Sequence, residues 1–284
     1  MTVAVYRALL LAFVSLFATP GLHAAAPVVA PASHANACVV LLHGLGRTYR
    51  SMFSIEHALR DAGYATISVD YPSQSKPIEA LALQAVPEGV AYCRKQGATT
   101  IHFVTHSMGG LVLRYYLSKH RVQELGRTVM LSPPNQGSEV ADALVGTGVY
   151  DRVNGPAGGQ LVTGPEGIPA RLGPVDFPLG IITGNEQTVF DSVLATQIPG
   201  ANDGKVSVER AKVEGMSDFL VLPVTHTFIV NNDEVIGQAL YFRIGSRIVT
   251  RRMGWSALGP DEASRITETL LDNLDALLGQ QERS

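Results

Sequence analysis

Apolar positions follow two rhythms along this chain. Runs of strand length occur at Cys38–Leu42, Tyr64–Val69, Thr100–Val104, Arg127–Leu131, Leu179–Thr183 and Asp218–Pro223. The uninterrupted ones, such as Cys38-Val39-Val40-Leu41-Leu42, predict strands buried on both faces. Between them, Ser51–Ala62 and Ile78–Gln96 carry apolar residues at helical spacing. Strands alternating with helices imply an α/β fold: a mostly parallel central sheet with helices on both faces. Two stretches break the rhythm. Residues 135–177 are rich in Gly and Pro, with one short helical segment near Ser138–Leu144. A connection of that length is expected to be a cap or lid insertion. Residues 247–284 are expected to form a C-terminal helical extension. Within it, Ile266, Leu270, Leu271, Leu274, Leu277 and Leu278 share one face of an expected helix over Pro260–Leu278, packed on the domain, with a partner- or membrane-binding helix as the alternative.

The first 26 residues read as a targeting segment. Arg7 precedes the apolar run Ala8–Ala18, then Pro20-Gly21 and the small-residue run His23-Ala24-Ala25-Ala26 follow. This is the pattern of a secretory signal, and its apolar run is short of the ~20 residues of a membrane span. The mature chain is expected to begin near Ala25–Pro27 and to be periplasmic or secreted, with an uncleaved N-terminal anchor as the alternative. The main domain is expected over 27–246. Export bears on the two cysteines, Cys38 and Cys93. An even count in an oxidising compartment permits one disulfide. Strand starts and the ends of preceding helices share one edge of a parallel sheet, which would let the two meet. The alternative is two small buried hydrophobes. Neither cysteine has zinc-ligand spacing.

The 284 residues carry a net charge of −3, with 46% hydrophobic and 17% charged side chains, enough to bury a large core. No basic face is evident, which argues against nucleic acid as a partner.

The chemistry centres on Thr105-His106-Ser107-Met108-Gly109-Gly110. A β-branched run precedes it and the helical-looking Leu111–Leu117 follows. A small-x-Ser-x-Gly segment between strand and helix is the context of a nucleophile elbow, with Ser107 at its apex. A serine hydroxyl needs a base within hydrogen-bond reach and a third group to orient that base. Of eight histidines, His226 lies just past the last core strand and is the candidate base. His57 and His120 are placed on helices, His102 in the elbow strand, and His43 and His106 near the site in the wrong segments to act as base. For the acid, Asp203 in Ala201-Asn202-Asp203-Gly204-Lys205-Val206 is favoured over Asp191, its rival on position. An Asn-Asp-Gly turn is also common in its own right. An oxyanion hole needs two aimed donors: the Met108 N–H after the nucleophile, and the Leu45 N–H of the loop His43-Gly44-Leu45-Gly46.

Val40–Gly46, Thr105–Gly110, Asn202–Val206 and Thr225-His226-Thr227, with Pro133-Pro134-Asn135-Gln136-Gly137-Ser138, together resemble the α/β-hydrolase superfamily. Within it they look like bacterial lipases and lipase-like esterases. The resemblance spans about residues 37–243. It implies the α/β-hydrolase fold, Ser107 as nucleophile, Asp203 as acid, His226 as base, and Leu45 and Met108 as the oxyanion hole. The implied activity is carboxylic ester hydrolysis by an exported enzyme, without cofactor or metal, on a small-molecule ester or lipid. It implies no protein partner and leaves contact with a lipid interface open. One departure is Thr105, where lipase elbows usually carry glycine. Acyl transfer and hydrolysis of thioesters or amides need the same triad, and a catalytically silent binding protein would share the fold.

Overall fold

The computed structural model describes residues 34, 36–188 and 196–244. The expected signal, Asp191 and the expected Pro260–Leu278 helix lie outside these residues. Six parallel strands form one sheet: β1 (Ala37–Leu42), β2 (Ala65–Val69), β3 (Thr100–His106), β4 (Leu125–Leu131), β5 (Leu179–Gly184) and β6 (Asp218–Leu222). Their order is β2-β1-β3-β4-β5-β6. Parallel neighbours require crossovers, and helices supply them: α1 (Phe53–Asp61), α2 (Ile78–Lys95) and α3 (Met108–Leu117), with α8 (Asp233–Ile244) after the last strand.

Side-chain alternation divides the core into two layers. Val40, Leu42 and Phe103 face α2 and α3, joined by Leu81, Val86, Leu111 and Val112. Val39, Leu41, Val104 and Val129 face the other way, onto Ile55 and Leu59 of α1 and Val235 and Phe242 of α8. Both faces are covered, which is why the strands read as unbroken apolar runs.

Cys38 and Cys93 are joined in a disulfide, with their Cα atoms 5.5 Å apart. Parity puts Cys38 on the α2 face with Val40. Gly89, one helical turn before Cys93, lets α2 come close, since a Cβ there would lie 2.4 Å from Val40 Cγ1.

The stretch 135–177 differs from the single short helix expected. It holds α4 (Glu139–Leu144), α5 (Val149–Gly159) and α6 (Ile168–Leu172). Its glycines and prolines mark bends between helical segments rather than one long loop. Gly155, at φ 62°, kinks α5, and Pro156 follows it. The kink seats on the loop after β2, where a Cβ on Gly155 would overlap the Gln74 carbonyl oxygen. Gln74 Nε2 donates to the Val153 carbonyl, and Gln160 accepts from the Ile78 N–H and donates to Glu79. Asp142 accepts from the Thr163 N–H and hydroxyl, and Arg210 pairs with Glu139 at 3.0 Å. The Asp142–Thr163 bonds hold the segment together, and those of Val153, Gln160 and Glu139 fasten it to the body of the domain.

Candidate active site

The site forms at the C-terminal ends of the strands, where parallel α/β sheets bind their ligands. β3 ends at His106, and Ser107 turns the chain into α3 with φ 53° and ψ −127°. A non-glycine residue at positive φ is strained, and the strain projects the hydroxyl out of the sheet. Glycines at two positions make the turn fit. A Cβ at Gly109 would lie 2.5 Å from the Leu42 carbonyl oxygen, and one at Gly110 would lie 3.4 Å from Thr105 Oγ1.

His226 follows β6, and its Nε2 stands 3.0 Å from Ser107 Oγ. Its Nδ1 stands 2.8 Å from Asp203 Oδ2, so Nδ1–H donates to the carboxylate and Nε2 faces the hydroxyl. Asp203 Oδ1 accepts from the Lys205 and Val206 N–H groups at 3.0 and 2.8 Å. The Asn-Asp-Gly turn serves this geometry: Asn202 Oδ1 accepts the Gly204 N–H, and Gly204 adopts φ 98°. Burial opposes charge on Asp203. His226, through charge and hydrogen bond, together with nearby Ser132 and the Val206 N–H, holds its pKa below the ordinary value. Ser132, itself at φ 46°, stands beside the carboxylate, although its buried Oγ has no partner at hydrogen-bond geometry.

Backbone bonds lock acid and base together. The His226 N–H donates to the Asp203 carbonyl at 2.9 Å. The His226 carbonyl faces His106 Nε2 at 3.0 Å, and a carbonyl only accepts, so Nε2 carries the ring proton. Burial and the charge of His226 push the pKa of His106 down to about 3, so its ring is neutral at ordinary pH.

The loop expected to hold the second oxyanion donor packs directly on the elbow. A Cβ at Gly44 would lie 3.1 Å from Ser107 Cβ. His43 anchors this loop: its Nδ1–H donates to the Gly44 carbonyl, its ring stacks on Tyr71, and the Tyr71 hydroxyl donates to the His43 carbonyl. Leu45 lines the cavity beside Ser107 and His226. Met108 opens α3, where a first-turn N–H has no intrahelical acceptor.

The Pro133–Ser138 stretch fastens the acid loop. Asn135 Nδ2 donates to the Ala211 carbonyl, and Gln136 Nε2 to the Glu209 and Lys212 carbonyls, holding α7 (Val208–Ala211). Ser138 Oγ donates to the Lys205 carbonyl. Buried Arg114 on α3 donates to the Asn135 backbone and side-chain oxygens, and burial lowers its pKa to about 10.

A cavity of about 250 Å³ opens onto Ser107. Leu45, Val140, Leu144, Tyr150, Leu161 and Val206 form much of its wall. Four of these come from the 135–177 segment, which therefore roofs the site.

The sequence-predicted Ser107, His226 and Asp203 are thus brought together, with Leu45 and Met108 beside them. His102 and His57 sit in β3 and α1 as expected. His120 lies just past the end of α3 rather than on a helix, stacked on Tyr116. Sequence reasoning missed His106 as the tie to His226, and Ser132 as the neighbour of Asp203. Both depend on contacts between distant segments, and no local signal marks them.

A parallel α/β sheet with a serine at a strained strand-to-helix turn, followed along the chain by Asp and then His, defines the architecture of an α/β hydrolase. The Alpha/beta hydrolase family profile matches residues 39–252, and the chain belongs to this family. A shorter match, to the C-terminal domain of the HTH-type transcriptional dual regulator CecR, covers residues 234–280, mostly outside the described residues. No curated protein matches the chain. Among similar solved structures is the mature form of the Bacillus licheniformis lipase BlEst2, with a TM-score of 0.55 and 19% identity, over 69% of this chain and 87% of that one. Its propeptide form gives 0.58 and 21%, over 72% of this chain and 49% of that one, so this chain spans about half of that longer form. A metagenomic carboxyl esterase gives 0.54 and 19%, over 72% and 69%. At these identities the likeness is one of fold.

Proposed function

We propose that this protein is an exported serine hydrolase of carboxylic esters, with Ser107 as nucleophile, His226 as general base and acid, and Asp203 as the orienting carboxylate. The observation that carries the reading is the unbroken chain from Ser107 Oγ through His226 to Asp203 at 3.0 and 2.8 Å, opening onto a partly apolar cavity. Ser107 Oγ attacks the ester carbonyl carbon as its proton passes to His226 Nε2. The carbonyl oxygen takes up the negative charge, held by the Leu45 and Met108 N–H groups. The C–O bond to the alcohol then breaks, and His226 gives its proton to the departing oxygen. Water, deprotonated by His226, attacks the acyl-enzyme, and the acid leaves as Ser107 regains its proton. Every step uses groups of this chain and water.

Two further observations support the reading. The Cys38–Cys93 disulfide suits an oxidising compartment, in keeping with the leader pattern of residues 1–26. Proteins of similar fold include a lipase and a carboxyl esterase. The roof over Ser107 is tied down, and a cavity of about 250 Å³ accommodates short acyl chains better than long ones. The test is turnover of nitrophenyl esters of increasing acyl length by the purified protein, beside Ser107→Ala. Turnover of short esters that disappears in Ser107→Ala is expected. Folded wild-type protein inert on every ester, or turnover that persists in Ser107→Ala, refutes the reading.

A further inference from the structure

Two cations mark the mouth of the cavity, and the proposed chemistry uses neither. Apart from histidine, Arg47 and Lys205 are the charged side chains among the residues lining it. Arg47 directly follows the loop that carries Leu45, and Lys205 lies two residues beyond Asp203. Both side chains are exposed, and neither belongs to an ion pair among the described residues. No acid is among the described residues that line the cavity, and those of the surrounding segments have partners of their own. Asp203 is bound to His226, Glu139 to Arg210, Asp142 to Thr163, and Asp151 to the Gly146 and Gly148 N–H groups. The positive mouth runs against the whole chain, whose net charge is −3, so it is not a by-product of a basic surface. Burial is the main cause that keeps the His106 ring unprotonated, and the charge of Arg47 acts in the same direction.

Resting on the ester-hydrolase reading, we propose that the substrate is an anionic ester: one that carries, besides the scissile bond, an ionised group that Arg47 and Lys205 hold at the cavity mouth. The apolar wall under the roof takes the uncharged part of the molecule, and the ionised group stays at the rim, partly in water. It takes no part in bond breaking. Placing it fixes the ester carbonyl against Ser107, and opposite charge raises the encounter rate in a salt-dependent way.

The experiment compares kcat/KM for three esters on the same enzyme: phenyl butyrate, 4-butyryloxybenzoate with the anion on the leaving group, and phenyl hemisuccinate with the anion on the acyl group. At low salt, at least one anionic ester is expected to exceed phenyl butyrate by about 10-fold, from about 3-fold per exposed cation. In the double variant Arg47→Gln, Lys205→Gln that ratio falls to about one, and 0.5 M salt shrinks it in the wild type. Because the readout is a ratio within one protein, a general loss of folding or activity does not mimic it. Ser107-dependent turnover with no preference for either anionic ester overturns this inference and leaves the hydrolase reading standing. A preference that survives in the double variant overturns it as well. Inertness on all three esters overturns both readings.

Discussion

Replacing His106 with Gln should change how stability responds to acid. The His106 ring is fully enclosed, its Nε2–H is given to the His226 carbonyl, and its Nδ1 has no partner. Its pKa is about 3 in the folded protein against an ordinary value of 6.5. Between those values the unfolded chain binds a proton that the native state refuses, so unfolding becomes more favourable as pH falls. The slope approaches about 1.4 kcal/mol per pH unit for one proton once the pH is well below 6.5, and from pH 6.5 to 4.0 the loss amounts to about 3 kcal/mol. Asp203 adds little in this window. Its folded pKa is depressed below 3.8, so its contribution is present above that value and is lost only at lower pH. His43, also lowered by burial, acts in the same sense as His106. Gln keeps an N–H donor for the His226 carbonyl and does not titrate. Urea unfolding of wild type and His106→Gln across pH 4 to 7, with the disulfide intact, should show a slope lower in the variant by about 1.4 kcal/mol per pH unit below about pH 5.5, fading towards pH 7. An unchanged slope would refute the argument. So would an NMR titration in which the His106 ring of the wild type takes up its second proton above pH 5.

Two further outcomes follow from the same geometry. Asp203→Asn removes the carboxylate that fixes the His226 tautomer, and ester turnover should fall by about 10⁴-fold with the fold intact by circular dichroism. Replacing both Cys38 and Cys93 with Ala opens a loop with a sequence separation of 55 residues. Loop-closure entropy sets the loss near 4 kcal/mol, read as a fall in the denaturant midpoint relative to the oxidised wild type.

Features that rest on neighbouring residues were legible in the sequence. Buried parallel strands read as apolar runs because both faces are covered, and the elbow read as a strand, a serine and a helix because its geometry is local. Asp203 and Asn202 sit on a turn that their own side chains help to build. The roof was misread because glycine and proline, taken as marks of a loop, bend successive helices at positions such as Gly155, where only backbone fits against Gln74.

The sequence by itself determined the core strands, their alternation with helices, and the residue types of the proposed nucleophile, base and acid, since local sterics and hydrophobic periodicity suffice for these. Tertiary structure alone decided the strand order, the Cys38–Cys93 pairing, the tie from His106 to the backbone of a residue 120 positions away, and the meeting of Arg47 and Lys205 at one cavity. Those arrangements depend on which distant segments the sheet brings side by side. That is settled by packing over the whole core, and no stretch of chain encodes it alone.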